Sequence, residues 1–198
     1  MNKENTEFKN LVEQTKRKEK IKKEQVNFKW ILLIVVIAFT LSFLLSAIAN
    51  TVIPNLSLVF GSILTLVFIL IGVILDTVGV AVTAADEAVF HSMSSRKVRG
   101  AALAVKFKKN ADKASSFCSD VVGDVCGVIS GAAGTAITAI LVSDYHTNLL
   151  LTSLIVTAII SSITIGGKAI GKSIAINKSD IILYEFAKIL SIFYPFGK

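Results

Sequence analysis

The chain has few of the residues from which catalytic and metal-binding sites are usually built. It contains two cysteines and two histidines, and only 18% of its 198 residues are charged. Cys118 and Cys126 lie about two helical turns apart, on roughly the same face of a helix, which is too far apart for a disulfide. The sequence also has no nucleophile–base pair, metal-ligand cluster or nucleotide-binding motif. We therefore predict that the protein is not an enzyme and has no resident cofactor.

Long apolar runs with few charged residues make up most of the chain instead. Hydrophobic residues account for 53% of it, and the mean hydropathy is +0.69. The runs cover about 30–49, 56–85, 114–142 and 149–176, and each is long enough to cross a hydrocarbon core of ~30 Å. The sequence predicts an all-α membrane protein with four transmembrane helices.

The first run also raises the question of a cleaved signal peptide. It ends in Ala47-Ile48-Ala49, an A-x-A pattern of the kind found at signal-peptide cleavage sites. The preceding residues 1–29 contain nine Lys/Arg and five Glu, which is longer and more mixed in sign than a signal-peptide leader. We predict a charged tail over 1–29, followed by an extra N-terminal span and outer loop over 30–55.

The lysines and arginines lie on one side of the predicted membrane. With the N-terminus inside, all 21 Lys and Arg fall in cytoplasmic segments or at the inner ends of spans. The two outer loops carry only Asp144 and His146. The positive-inside rule therefore predicts a multi-pass protein of the cytoplasmic (inner) membrane with both termini cytoplasmic. Segments 86–113 and 177–198 are expected to form amphipathic juxtamembrane helices on that side.

Ionisable residues inside the predicted spans are the candidates for function. They are Asp76 in span two, Asp120 and Asp124 in span three, and Lys168 in span four. Each costs about 2.5–3.5 kcal/mol at membrane depth, so such residues are rare and usually functional. Asp120 can also be solvated near the inner surface, and Lys168 can extend to the headgroups.

Small residues accompany these charges. Gly123, Gly127 and Gly131 recur every four residues in span three, which favours close helix packing, within one subunit or between two. In span four, Gly166, Gly167 and Gly171 predict a broken helix whose freed carbonyls could coordinate an ion.

Four short motifs then occur in a recognisable order. The first is Thr83-Ala84-Ala85-Asp86-Glu87-Ala88-Val89, which precedes a basic stretch. The second and third are Asn110-Ala111-Asp112-Lys113 and Gly123-Asp124, and the fourth is a glycine-framed motif over 167–175. Together, over Leu56 to Phe196, they resemble the transmembrane domain of the CorB/CorC and cyclin M family of magnesium and cobalt transporters. We expect 56–198 to form that domain, standing alone without the family's regulatory domains.

The resemblance implies an ion site between spans two, three and four, usually in a homodimer. Carried over by position, its metal ligands are Thr83 or Asp86, Asp124 and Gly167, with Asp120 offering a further oxygen. Lys168 stands where the family has a glutamate, so its ammonium could pair with Asp124 in place of the ion. Two functions are therefore expected: Mg²⁺ transport, or a non-transporting membrane scaffold or regulator. The expected partners are the lipid bilayer, a second copy and another protein, but no nucleic acid.

Overall fold

A computed structural model describes residues 28–53 and 56–193. Residues 1–27 of the predicted charged tail lie outside the described residues. Contacts divide the chain into two compact units, 1–36 and 37–198. Within the described residues the structure is helical throughout, with no strand, which confirms the predicted fold class.

Four helices in the described part of the chain are long and apolar enough to cross a membrane, as predicted. The first is α1 (Phe28–Val52) and the second is α2 (Leu58–Ala84). The third covers Ala111–Tyr145, and the fourth is α7 (Leu149–Asn177). Each exceeds the roughly 20 residues that a bilayer requires. The chain is therefore an integral membrane protein of the multi-pass kind.

The third span is not one regular helix. It consists of α5 (Ala111–Ser116), a π-helical segment (Phe117–Gly123) and α6 (Asp124–Tyr145). A π-helical turn widens the hydrogen-bonding ring and is often found at functional sites.

The prediction of a broken helix in span four is wrong, because α7 is continuous from Leu149 to Asn177. Two of its glycines, Gly167 and Gly171, allow close packing against α2 instead. A Cβ added to Gly167 would lie 2.9 Å from Val73 Cγ2, and one added to Gly171 would collide with Thr77 Oγ1. The absent side chains let the two helices approach, while the helical hydrogen bonds of α7 are kept.

Three shorter helices form a juxtamembrane cluster where α2 ends and the third span begins: α3 (Glu87–Ser95), α4 (Ala101–Lys109) and α8 (Ser179–Phe193). Phe90, Ala104, Leu183 and Ala187 are fully buried at its centre. Val82 at the end of α2 packs into the same core. The cluster is thus joined to the membrane-spanning helices by a shared hydrophobic core.

Polar contacts fix this junction further. Lys108 Nζ donates to Thr83 O at 2.7 Å, and so holds one of the carbonyls left free at the end of α2. Asp86 N donates to Asp180 Oδ1 on α8 at 2.8 Å. Gly100 has a φ of 84°, and a Cβ there would lie 2.9 Å from Lys188 Cα. Glycine is required at this turn for both its conformation and its size.

The one-sided charge distribution predicts which residues face outward. In a variant with Cys118 and Cys126 replaced by alanine, a cysteine at Asp144 should react with an impermeant maleimide applied to intact cells. A cysteine at Ser95 should react only after the cells are opened. Asp144 suits the test better than His146, whose φ of 52° disfavours substitution. Reaction of the Ser95 cysteine in intact cells would invert the topology.

Candidate ion site between the membrane spans

One face of α2 lies against the third span where that span is π-helical. This face carries Gly72, Asp76 and Gly79, spaced four and three residues apart. A Cβ added to Gly72 would lie 2.9 Å from Cys126 Cβ and 3.2 Å from Gly123 O. The two backbones therefore meet closely on both sides of Asp76.

Asp76 is the buried acid of this contact. Its side chain is 5% exposed, and Oδ2 has no hydrogen-bond partner among the described residues. Its backbone carbonyl accepts a hydrogen bond from Ser119 Oγ at 3.3 Å, which ties α2 to the π-helical segment. A buried carboxylate oxygen without a partner is costly, so it calls for a physical explanation.

The second feature is an ion pair between the third and fourth spans. Lys168 Nζ on α7 donates to Asp124 Oδ1 at 2.7 Å. The Lys168 side chain is 21% exposed and that of Asp124 is 66% exposed. Asp124 is the first residue of α6, directly after the π-helical segment. The pair therefore links α7 to the point where the third span changes its helical geometry.

The three charged residues lie at one level of the bundle. Asp76 and Lys168 each stand five residues beyond the middle of their spans, and Asp124 stands four residues before the middle of its own. Because span three runs opposite to the other two, all three are displaced toward the juxtamembrane cluster. At 1.5 Å per residue the displacement is roughly 6–8 Å. For spans centred in a hydrocarbon core of ~30 Å, which extends ~15 Å to each side of its middle, this level lies inside the core.

Three of the other four predicted ligands make structural contacts instead, and the fourth is exposed. Thr83 Oγ1 donates to Val80 O at 2.8 Å, within its own helix. Asp86 caps α3 by accepting from Ala88 N at 2.9 Å. Asp120 is exposed one turn before Asp124, and Gly167 packs against Val73. Among the described residues, no three His, Cys, Asp or Glu side chains converge into a metal-binding group. The five-residue ligand set remains a prediction.

The three glycines that were predicted to form one packing seam, Gly123, Gly127 and Gly131, lie in two different environments. Gly123 meets α2, where a Cβ would lie 3.6 Å from Asp76 Cβ. Gly127 and Gly131 have open space instead, with no neighbouring atom within 4 Å of an added Cβ. They line a groove of about 170 Å³ between α6 and α7. Within one subunit, the three glycines therefore do not form a single packing seam; a seam between subunits stays a prediction.

An apolar cavity of about 250 Å³ lies farther from the juxtamembrane cluster, between α2, α6 and α7. It carries no ionisable residue; its lining residues are Ser62, Thr65, Leu66, Ile69, Ile137, Val156, Ile159, Ile160 and Ile163. The charged groups and this cavity therefore occupy different levels of the bundle.

From the sequence, Asp76 was identified as a residue that is costly to place at membrane depth, but it was not included among the predicted metal ligands. Its position opposite Gly123 could have been suspected, since Gly72 and Gly79 flank it on the same helical face. The chain matches no protein-family model, no curated protein and no solved structure. The function must therefore be inferred from the site itself.

Proposed function

We propose that the chain is a membrane protein of the magnesium and cobalt transporter type, in which the ammonium group of Lys168 holds the place of the cation. The observation that carries this proposal is the 2.7 Å contact between Lys168 Nζ and Asp124 Oδ1. The motif order that resembles the transporter family supplies the comparison. In that comparison Lys168 replaces a glutamate and Asp124 replaces an asparagine.

The ion pair disfavours a bound divalent cation in this conformation. Opposite charges at ~4 Å attract by about 4 kcal/mol at an effective dielectric constant near 20, before desolvation is counted. Mg²⁺ needs near-octahedral oxygen coordination, whereas the ammonium needs only hydrogen-bond acceptors. Mg²⁺ at Asp124 would have to displace Lys168 and would then meet its positive charge. The geometry therefore favours a non-transporting scaffold or regulator of the cytoplasmic membrane.

Mg²⁺ transport is the second candidate function, and Asp76 favours it. A second carboxylate at the same level, with Oδ2 unpartnered, supplies a negative charge that Lys168 does not neutralise in the described structure. The π-helical segment next to it is a type of irregularity that often accompanies function. In this version Lys168 leaves Asp124 when the ion enters.

The resemblance also suggests a homodimer, and the open glycine surface fits it. A Cβ added to Gly127 or Gly131 would have no neighbour within 4 Å among the described residues, and both glycines line the groove between α6 and α7. Small residues of this kind allow a second helix to approach to backbone contact. We propose this surface as the contact between two copies.

Ion flux into proteoliposomes separates the two candidate functions. We expect the wild-type protein to move little Mg²⁺, because Lys168 occupies the position that the ion would take. Lys168→Glu should increase Mg²⁺ binding and uptake, because it places a carboxylate beside Asp124. Lys172→Glu, one turn away on the same helix, is the matched control and should not change either quantity.

Rapid wild-type uptake that Lys168→Glu leaves unchanged would contradict the scaffold proposal and select the transporter. The absence of uptake and of Mg²⁺ binding in both proteins would also count against the assignment of this site, because restoring the glutamate should restore affinity.

A further inference from the structure

The charged residues at the level of the ion pair do not balance. Counted at formal charge, Asp76 and Asp124 contribute two negative charges and Lys168 contributes one positive charge. Lys168 donates to Asp124, while Oδ2 of Asp76 is buried with no hydrogen-bond partner in the part of the chain that the structure describes. One unit of negative charge is therefore left uncompensated inside the bundle. A buried charge of this kind is stable only when an opposite charge joins it.

We propose that Asp76 binds one monovalent cation, the proton included. A single unit of positive charge balances the group of three, whereas a divalent ion would leave an excess. While Lys168 is paired with Asp124, Asp76 also has no further carboxylate to offer a divalent ion, since no three acidic, His or Cys side chains converge in the described residues. This inference goes beyond the proposed function and does not depend on Mg²⁺ transport.

The residues described around this part of α2 do not compensate the Asp76 carboxylate, so Asp76 is the group that binds the cation. The π-helical segment places Ser119 and Gly123 against it, and Ser119 Oγ is already directed to the Asp76 carbonyl. On α7, Gly167 and Gly171 contact Val73 and Thr77, the neighbours of Asp76 on α2. The other titratable groups on the π-helical segment, α6 and α7 are Cys118, Asp120, Asp124, Cys126, Lys168 and Lys172, with Asp144 and Tyr145 at the far end of α6.

Modification by dicyclohexylcarbodiimide tests the proposal on the wild-type protein. This apolar reagent reacts with a protonated carboxyl group: the carboxyl oxygen bonds to the carbodiimide carbon and the proton passes to one of its nitrogens, which gives an O-acylisourea. The acyl group then migrates from that oxygen to the neighbouring nitrogen, which gives the stable N-acylurea that is detected. In metal-free buffer we expect an adduct at Asp76, detected by peptide mass spectrometry. The adduct should be lost in Asp76→Asn, and exposed Asp144 should react far less.

The conditions that lower the yield of the Asp76 adduct identify the cation. If Na⁺ or K⁺ suppresses the adduct at constant pH, while choline at equal ionic strength does not, the site binds a metal ion. If only alkaline buffer suppresses it, the site binds a proton. Asp124 serves as the internal control: it should be protected in wild type by Lys168 and become reactive in Lys168→Met.

Thermal unfolding in detergent supplies a second measurement that does not depend on access of the reagent. The wild-type unfolding midpoint should rise with the bound cation, either in acid or in the relevant metal salt. Asp76→Asn should lose that rise, because the amide carries no charge to be compensated. The proposal is overturned if Asp76 gives no adduct and Asp76→Asn responds to cations as the wild type does.

Discussion

Replacing Phe90 by alanine should lower the free energy of unfolding by about 3–5 kcal/mol, the range for truncating a buried aromatic side chain. Phe90 is 0% exposed and is the largest side chain at the centre of the juxtamembrane cluster. It packs in one core with Val82 of α2 and Leu183 of α8. Its loss should therefore weaken the attachment of the cluster to the second span as well as the cluster itself. Unfolding in detergent, followed by circular dichroism, measures the effect.

Phe60→Ala is the matched control for this prediction. Phe60 lies on α2 with 66% of its surface exposed, so its truncation leaves no cavity. It should change the stability in detergent by much less than Phe90→Ala. Equal losses from the two substitutions would contradict the buried core and would mean that the three short helices are not packed on α2.

The spans could be predicted from sequence because the bilayer imposes one strong condition. Every backbone polar group in the hydrocarbon must be hydrogen-bonded within the structure, so a long apolar run has little choice except a helix. Residues 149–176 therefore predicted α7 almost to its ends, Leu149 and Asn177. The juxtamembrane helices were also expected, but their common core around Phe90 was not, because it joins residues far apart in the chain.

The local geometry of the third and fourth spans could not be predicted in the same way. Glycine density around Gly167 predicted a break, yet glycine both weakens a helix and allows a neighbour to approach. Only the position of Val73 on α2 decides between these effects. The π-helical segment over Phe117–Gly123 has no composition signal of its own, and its hydrogen bonds depend on how the third span meets α2.

The candidate site was predictable in its residue types more than in its arrangement. Costly charges inside apolar runs identified Asp76, Asp124 and Lys168, since each requires compensation. Which acid receives the ammonium depends on the rotation of three helices about their axes. In the structure Lys168 forms an ion pair with Asp124, and Asp76 is buried. The family comparison suggested this pair, but it gave no role to Asp76.

The pair itself leads to the second large effect, which a double-mutant cycle measures. Asp124 is 66% exposed in the chain, and for a span centred in the bilayer we expect that surface to face lipid or another subunit rather than water. Lys168→Met should therefore leave a carboxylate at membrane depth, at a cost of about 2.5–3.5 kcal/mol. Asp124→Asn should leave the ammonium uncompensated, with a loss of similar size. Thermal unfolding of both variants in lipid nanodiscs gives the two values.

The double variant Lys168→Met/Asp124→Asn should recover much of the loss, because neither charge then needs a partner. The surface pair Lys188–Glu185 on α8 is the control: its atoms are 3.2 Å apart, and its side chains are 47% and 52% exposed. Its own cycle should show a coupling below about 1 kcal/mol, as is usual for exposed ion pairs. If the Lys168 and Asp124 losses instead add, the two charges are compensated separately, with Lys168 extended to the headgroups. Asp124 would then be free to bind a cation, and the transporter would become the better assignment.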